Sequence, residues 1–179
     1  MAEDALKTRY RQAAEVEAAV MQAVETGLLV GEEHLIRKHL PVEAAIIDAG
    51  SGAGRVGLGC WEIGYRSVVG VDFSREMVAA ARNLGRKLEY DVPFRVGDVR
   101  KLAFEGGLFD AVMTDVATWQ DWDKAACGGA IAQELARVVR PGGWWIGGGR
   151  WPEVLGSLPW SCREEVEIDG GSFWLASRE

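Results

Sequence analysis

Apolar residues recur at helical spacing near the start of the chain. Leu6, Tyr10, Ala13, Val16, Val20 and Val24 share one face of a predicted helix over residues 3–26, and Gly27 supplies its stop. A second, short helix over 32–40 ends at Pro41. From residue 44 the pattern changes. Short apolar runs predict strands over 44–48, 67–71, 93–96, 109–114 and 144–147, and the stretches between them predict helices over 55–64, 74–84 and 123–139. Ser74 suits the N-cap of the middle helix and Gly85 its stop. Gly128 and Gly129 fall inside the last helix, at a cost of about 1 kcal/mol each. The Pro141-Gly142-Gly143 turn introduces the fifth strand. Strands alternating with helices predict a mostly parallel sheet covered by helices on both faces.

The tail departs from this alternation. Residues 164–168 alternate charged and apolar, as an edge strand does. Asp169-Gly170-Gly171 is a turn signal. Phe173-Trp174-Leu175-Ala176 is apolar on both faces, as an interior strand is. The last strand is therefore expected to insert antiparallel inside the sheet, leaving its predecessor at the edge. That makes seven strands, in an α/β fold. A chain of 179 residues with 48% apolar and 26% charged residues suits a single domain spanning 1–179. Within it, 1–40 forms a helical N-terminal segment, 44–149 a core and 162–178 a C-terminal β-hairpin.

Charge and cysteine usage narrow the setting. No apolar run approaches the roughly 20 residues of a membrane span, and the start Met1-Ala2-Glu3-Asp4 lacks a signal-peptide core. A cytoplasmic protein with no membrane partner is expected. Cys60, Cys127 and Cys162 are scattered and fit neither a disulfide framework nor a Cys-x-x-Cys metal site. The net charge is −7, and the basic stretches at 82–87 and 95–101 are interleaved with apolar or acidic residues. A small-molecule substrate is favoured over nucleic acid.

The chemistry is concentrated where the first strand ends. Ile46-Ile47-Asp48-Ala49-Gly50-Ser51-Gly52-Ala53-Gly54-Arg55-Val56 is an apolar run, an acid and three alternate glycines, followed by a helix. Glycine lets a backbone turn sharply and come close to a ligand, and a helix N-terminus favours polar or anionic groups. This is a nucleotide-type cofactor site. Residues 52–57 also match the dinucleotide fingerprint G-x-G-x-x-G. Asp72, closing the second strand, suits a ribose diol in either case. Four features turn the reading away from nicotinamide. They are Asp48 two residues before the first glycine, Gly97-Asp98-Val99 after the third strand, Arg137-Val138-Val139-Arg140-Pro141-Gly142-Gly143 before the fifth, and the inserted hairpin.

With these four in order, the chain resembles the class I S-adenosylmethionine-dependent methyltransferases, strongly over 44–149 and by pattern to 178. The resemblance implies a Rossmann-like sheet and S-adenosylmethionine as cofactor. It implies that Gly50, Ser51, Gly52 and Gly54 form the cofactor loop, with Asp48 near the methionine amine. It places Asp72 on the ribose hydroxyls, Phe73 against adenine, Asp98 on the adenine amine and the Val99 backbone beside it. Asp115 then lies near the methionine part and the substrate.

Methyl transfer from a sulfonium is a direct displacement, which orientation and water exclusion can drive without a side-chain base. No catalytic residue is assigned. The stretch after the fourth strand, Thr114 to Trp122, carries neither an Asn-Pro-Pro-Tyr-like segment nor a cysteine nucleophile. His34 and His39 read as surface or packing residues. Trp119, Trp122, Trp151 and Trp160 follow the fourth and fifth strands, at the sheet edge where open α/β folds bind ligands. Trp119, Trp122 and Trp151, with Tyr10 from the N-terminal segment, are the candidate substrate-binding residues. Insertions are almost absent, so residues 1–40 and the connection 151–160 are the expected lid, and a pocket so thinly covered is either open or completed by the second subunit of a homodimer. The expected activity is methyl transfer to a small-molecule acceptor. Alternatives are an RNA or protein methyltransferase of the same fold, a non-catalytic S-adenosylmethionine-binding protein and, more distantly, a nicotinamide enzyme.

Overall fold

The computed structural model describes residues 5, 8–124 and 127–179. Leu6 of the predicted first helix lies outside them. In chain order the elements are α1 (Ala13–Thr26), α2 (Val30–His39), β1 (Ile46–Ala49), α3 (Arg55–Glu62), β2 (Val68–Asp72), α4 (Arg75–Leu88) and β3 (Phe94–Val96). They continue with β4 (Phe109–Thr114), α5 (Val116–Lys124), α6 (Gly128–Val138), β5 (Val139–Gly148), a 3-10 turn (Glu153–Ser157), β6 (Trp160–Ile168) and β7 (Gly171–Arg178).

The seven strands run in the order β3-β2-β1-β4-β5-β7-β6. The first five are parallel, and β7 lies antiparallel between β5 and β6. The inserted last strand and the alternating edge strand are as the pattern predicts. Side chains of a strand alternate between faces, and here each face has its own layer. Ile46, Val68, Ala111, Met113, Ile146 and Leu175 pack with residues of α2, α3 and α4. Ile47, Val69, Val112, Trp145 and Trp174 pack with residues of α5 and α6. Because β1 neighbours both β2 and β4, the connections leaving it diverge to opposite faces. This opens a crevice at the carboxyl ends of the strands.

Several boundaries differ from the pattern, each for a local reason. The first helix does not run unbroken over 3–26. The backbone turns at 10–12 before α1 begins, with Gln12 extended as its N-cap, because contacts across the sheet edge hold Tyr10. The middle helix does not stop at Gly85 but runs to Leu88 and ends on Glu89 at φ 60°. Gly85 serves that ending from inside, since its carbonyl accepts Tyr90 N–H at 2.9 Å and a Cβ would lie 3.2 Å from the Tyr90 oxygen.

The predicted helix over 123–139 is α6, which begins only at Gly128, and a separate helix, α5, starts directly after β4 and ends at Lys124. Gly128 opens α6, where a Cβ would stand 3.1 Å from the Trp119 ring, so it is a packing contact in place of a helix-interior cost. The fifth strand starts at Val139, and Pro141-Gly142-Gly143 is an irregularity within it. The register moves from Phe109 opposite Val139 to Ala111 opposite Trp144, with Gly142 at φ 72°.

Candidate functional site

The glycine loop is folded back onto the neighbouring strand. Gly50 N–H and Ser51 N–H both donate to the Val71 carbonyl, at 2.8 and 3.0 Å. Gly50, Gly52 and Gly54 have φ of +74°, +49° and +92°, values that disfavour a Cβ. Gly54 also admits the Phe94 ring, which a Cβ would meet at 2.7 Å. Asp72 ends β2 and ties two turns together. One of its oxygens accepts Gly52 N–H at 2.9 Å, and the other accepts Ser74 N–H at 2.8 Å. Burial pushes this carboxyl above its ordinary value, against the pull of those amide bonds.

Asp48 takes a different direction. It shares the face of Ile46, and its carboxylate accepts Gly57 N–H of α3 at 2.9 Å. It is 1% exposed. Burial pushes it up to about 7, opposed by the Gly57 amide and the Arg55 charge. Beside it, Arg55 is a buried pin. Its guanidinium grips both oxygens of Glu32 at 2.8 and 2.7 Å, reaches Asp115 Oδ2 at 2.6 Å and donates to the Gly27 carbonyl at 2.8 Å. Burial opposes its charge, but Glu32 and Asp115 hold it above its ordinary value. Asp115 Oδ1 accepts Ala117 N–H at 2.7 Å, capping the start of α5. Loop, N-terminal helices and α5 therefore meet on one cation.

A cavity lies in the crevice. Gly50 and Gly52 form its floor, with Asp72 and Phe73 after β2, and Gly97, Asp98, Val99 and Arg100 after β3. Thr118, Asp121 and Trp122 of α5 face it, with Cys127 and Ile131 beyond them. Asp98 is held by its near neighbour Arg100, whose Nη2 lies 2.6 Å from Oδ2. Tyr10 crosses the top. Its carbonyl accepts the Ser74 hydroxyl at 2.8 Å, its ring stands edge-on to Phe73 at 6.1 Å, and its hydroxyl donates to Asp121 Oδ2. Burial raises the Tyr10 phenol above its ordinary value, and the Asp121 carboxylate adds to the shift. With this strap across it, the cavity has a volume of about 110 Å³ and stays partly open to solvent, a volume below the few hundred cubic ångströms usual for a ligand pocket.

The fold thus brings Tyr10, Gly50, Gly52, Asp72, Phe73, Asp98, Val99 and Trp122 to one cavity. The remaining sequence candidates stand elsewhere. Asp48 and Asp115 are turned to α3 and Arg55. The Ser51 side chain lies against Gly70, and its buried Oγ has no protein partner. Trp119 is buried between Trp122 and Trp145, and Trp151 rests on Trp174 at 5.0 Å. His34 is exposed on α2, and His39 binds Glu164 at 2.8 Å. Sequence reasoning missed Arg55, Glu32 and Asp121. The parity of β1, which puts Asp48 with Ile46, was a usable signal for the sealed acid. Helical spacing from Thr118 to Asp121 and Trp122 would have exposed the third.

The arrangement defines a class, a Rossmann-like α/β protein that binds a nucleoside cofactor at its topological switch point. S-adenosylmethionine fits the residues present. Gly52 opens into the cradle, with nothing within 4 Å of where its Cβ would stand, so any side chain would fill it. A carboxylate for a ribose diol, a ring for a purine face and an acid for an exocyclic amine stand in sequence along the strand ends.

The comparisons narrow the class to a family. The methyltransferase-domain family matches residues 46–143, more than half of the chain. The chain belongs to this family, and S-adenosylmethionine is its cofactor. Among curated proteins, an uncharacterized protein of Methanocaldococcus jannaschii is 38% identical over 55 residues. That match covers 31% of this chain and spans 25% of the relative's length.

Among solved structures, a Methanococcus maripaludis protein described as a candidate S-adenosyl-L-methionine-dependent methyltransferase superposes with a TM-score of 0.77 at 16% identity, covering 92% of both chains. A Pyrococcus horikoshii protein gives 0.68 at 20% identity, over 93% of this chain and 92% of its own. A SAM-dependent methyltransferase of Methanosarcina mazei gives 0.65 at 17%, over 85% and 98%. At such identities the likeness is one of fold. Among the described residues, no helix is long and apolar enough to cross a membrane.

Proposed function

We propose that this chain transfers a methyl group from S-adenosylmethionine to a small-molecule acceptor. The observation that carries the acceptor class is the Tyr10 strap. It ties Ser74 to Asp121 across the cavity, and a covered site of this kind favours a metabolite over a polymer. The net charge of −7 also disfavours nucleic acid.

The cofactor supplies a sulfonium-bound methyl group for direct displacement by the acceptor. The residues orient and enclose. Asp72 receives the ribose hydroxyls, Phe73 covers the adenine, and Asp98 with the Val99 backbone meets its amine. Gly50, Ser51, Gly52 and Gly54 let the chain approach the cofactor closely. Asp48 and Asp115 act from behind, the first by fixing the loop to α3 and the second by fixing α5 to Arg55. Tyr10 and Trp122 exclude water, which strengthens the electrostatic interactions inside.

Calorimetric titration with S-adenosylmethionine, S-adenosylhomocysteine and NADH tests this reading on wild type and Asp72→Ala. The first two bind wild type, and the variant loses about 10- to 100-fold in affinity, as expected for hydrogen bonds to a charged group. Binding of NADH alone overturns the cofactor role. Radiolabelled methyl transfer across a panel of small amines, thiols, phenols and carboxylic acids, set against RNA and protein, then tests the acceptor class.

A further inference from the structure

The methionyl tail of the cofactor carries an ammonium group, and the acid expected to meet it, Asp48, does not line the cavity. It is 1% exposed and bonded to the Gly57 amide. Asp115 is committed to Arg55 and Ala117. Of the carboxylates that do line the cavity, Asp72 accepts an amide proton on each oxygen, and Asp98 is gripped by Arg100. Asp121 remains. It is 9% exposed, and both of its contacts, from the Tyr10 hydroxyl and from Arg9 at 3.7 Å, fall on Oδ2. Oδ1 has no hydrogen-bond or ion-pair partner among the described residues. Arg9 itself lies closer to Glu15, at 3.2 Å. The residue one turn earlier, Thr118, donates to the Gly50 carbonyl at 3.3 Å. Thr118 and Trp122, on either side of Asp121 in α5, are the side chains nearest a Cβ at Gly50, and Asp121 lines the same cavity as that first glycine of the loop.

Resting on the cofactor role stated above, we propose that Asp121 holds the ammonium group of the methionyl tail through Oδ1, while Tyr10 closes over the tail through Oδ2 of the same carboxylate. Recognition of the amine has moved from the end of β1 to the second turn of α5. One carboxylate then reads the tail and latches the strap, so loading the cofactor and ordering the segment around Tyr10 are coupled.

The test compares two ligands that share adenosine and a 5′ thioether, S-adenosylhomocysteine with the amino-acid tail and 5′-methylthioadenosine without it. Calorimetry with Asp121→Asn shows S-adenosylhomocysteine weakened about 10- to 100-fold, the worth of a hydrogen bond between charged groups. The tail-less ligand changes by less than about threefold, within the scatter of such measurements. Asp121→Glu, which keeps the charge, recovers most of the loss. Equal weakening of both ligands overturns the proposal, because Asp121 then serves the nucleoside or the fold. Unchanged S-adenosylhomocysteine binding overturns it as well. Asp121→Ser gives the same comparison if the asparagine variant fails to fold. If wild type binds neither ligand, the cofactor role itself falls and this assignment with it.

Discussion

Burial moves Asp48 far from its ordinary chemistry. Its folded value of about 7 stands above the ordinary 3.8 because burial disfavours the charged form. A carboxyl raised by folding contributes stability that is fully present below the unfolded value and is lost as pH rises through the folded one. The protein without cofactor should therefore lose stability between about pH 4 and pH 7 by this route. Asp48→Asn, neutral at every pH, should flatten that part of the profile. Melting temperatures of both proteins across this range provide the check, and parallel curves would refute the assignment. The acid and its glycines were legible in the sequence because spacing alone marks them. The direction of the Asp48 side chain was not read from the motif, since a motif fixes order along the chain and strand parity fixes the face.

Two elements give the site its shape. The Arg55 pin joins α2 to the start of α5 through side chains that are 7%, 2% and 19% exposed. Removing one member of a buried ionic cluster leaves the others unpaired, at about 3 to 5 kcal/mol. Arg55→Met should therefore lower the urea midpoint by the equivalent of about 3 to 5 kcal/mol, and equilibrium unfolding measures it. A loss below about 1 kcal/mol would mean that the cluster relaxes to solvent. The strap is the second element. It covers part of a cavity of about 110 Å³, small for a ligand pocket, so movement of the segment around Tyr10 would widen the way in. Tyr10→Ala should speed association and release of S-adenosylhomocysteine together, by about tenfold or more if opening limits both steps. Stopped-flow binding reads these rates.

Helix and strand positions along 44–149 were largely readable, because alternating short apolar runs leave few arrangements. The break at 10–12 was not. The periodic apolar positions there suit one helix, and a contact with residue 121, far away in sequence, overrides them. For the same reason α5 was missed, since seven of its residues lay in a stretch whose tryptophans read as a ligand-lining loop.

At the scale of the whole molecule, the order of strands and the two packed layers follow from patterns that the sequence displays openly. The inserted last strand is the plainest case. Phe173, Trp174, Leu175 and Ala176 are each 5% exposed or less, as an apolar run with no polar face requires. What composition concealed is where the tryptophans gather. Trp119, Trp122 and Trp151 were read as lining for a substrate, and Trp122 does border the cavity, yet all three belong to a connected chain through the sheet layer. Trp122 meets Trp119 at 6.2 Å, Trp119 meets Trp145 at 5.5 Å, and Trp145 meets both Trp160 and Trp174, at 5.2 and 5.4 Å. Trp151 joins at Trp174. These edge-to-face contacts stiffen the floor on which α5 and α6 rest.

The same chain has an optical consequence. Indoles this close exchange excitation, so light absorbed anywhere along the six is shared among them before it is emitted. One end of the relay, Trp122, borders the cavity. A cofactor bound there would perturb the emission of the whole array and not that of a single ring among the eight tryptophans. Titration with S-adenosylhomocysteine should quench well over one-eighth of the intrinsic fluorescence, and Trp122→Phe should disconnect the relay and remove most of that response. The core packing of this protein doubles as an antenna wired to its own binding site.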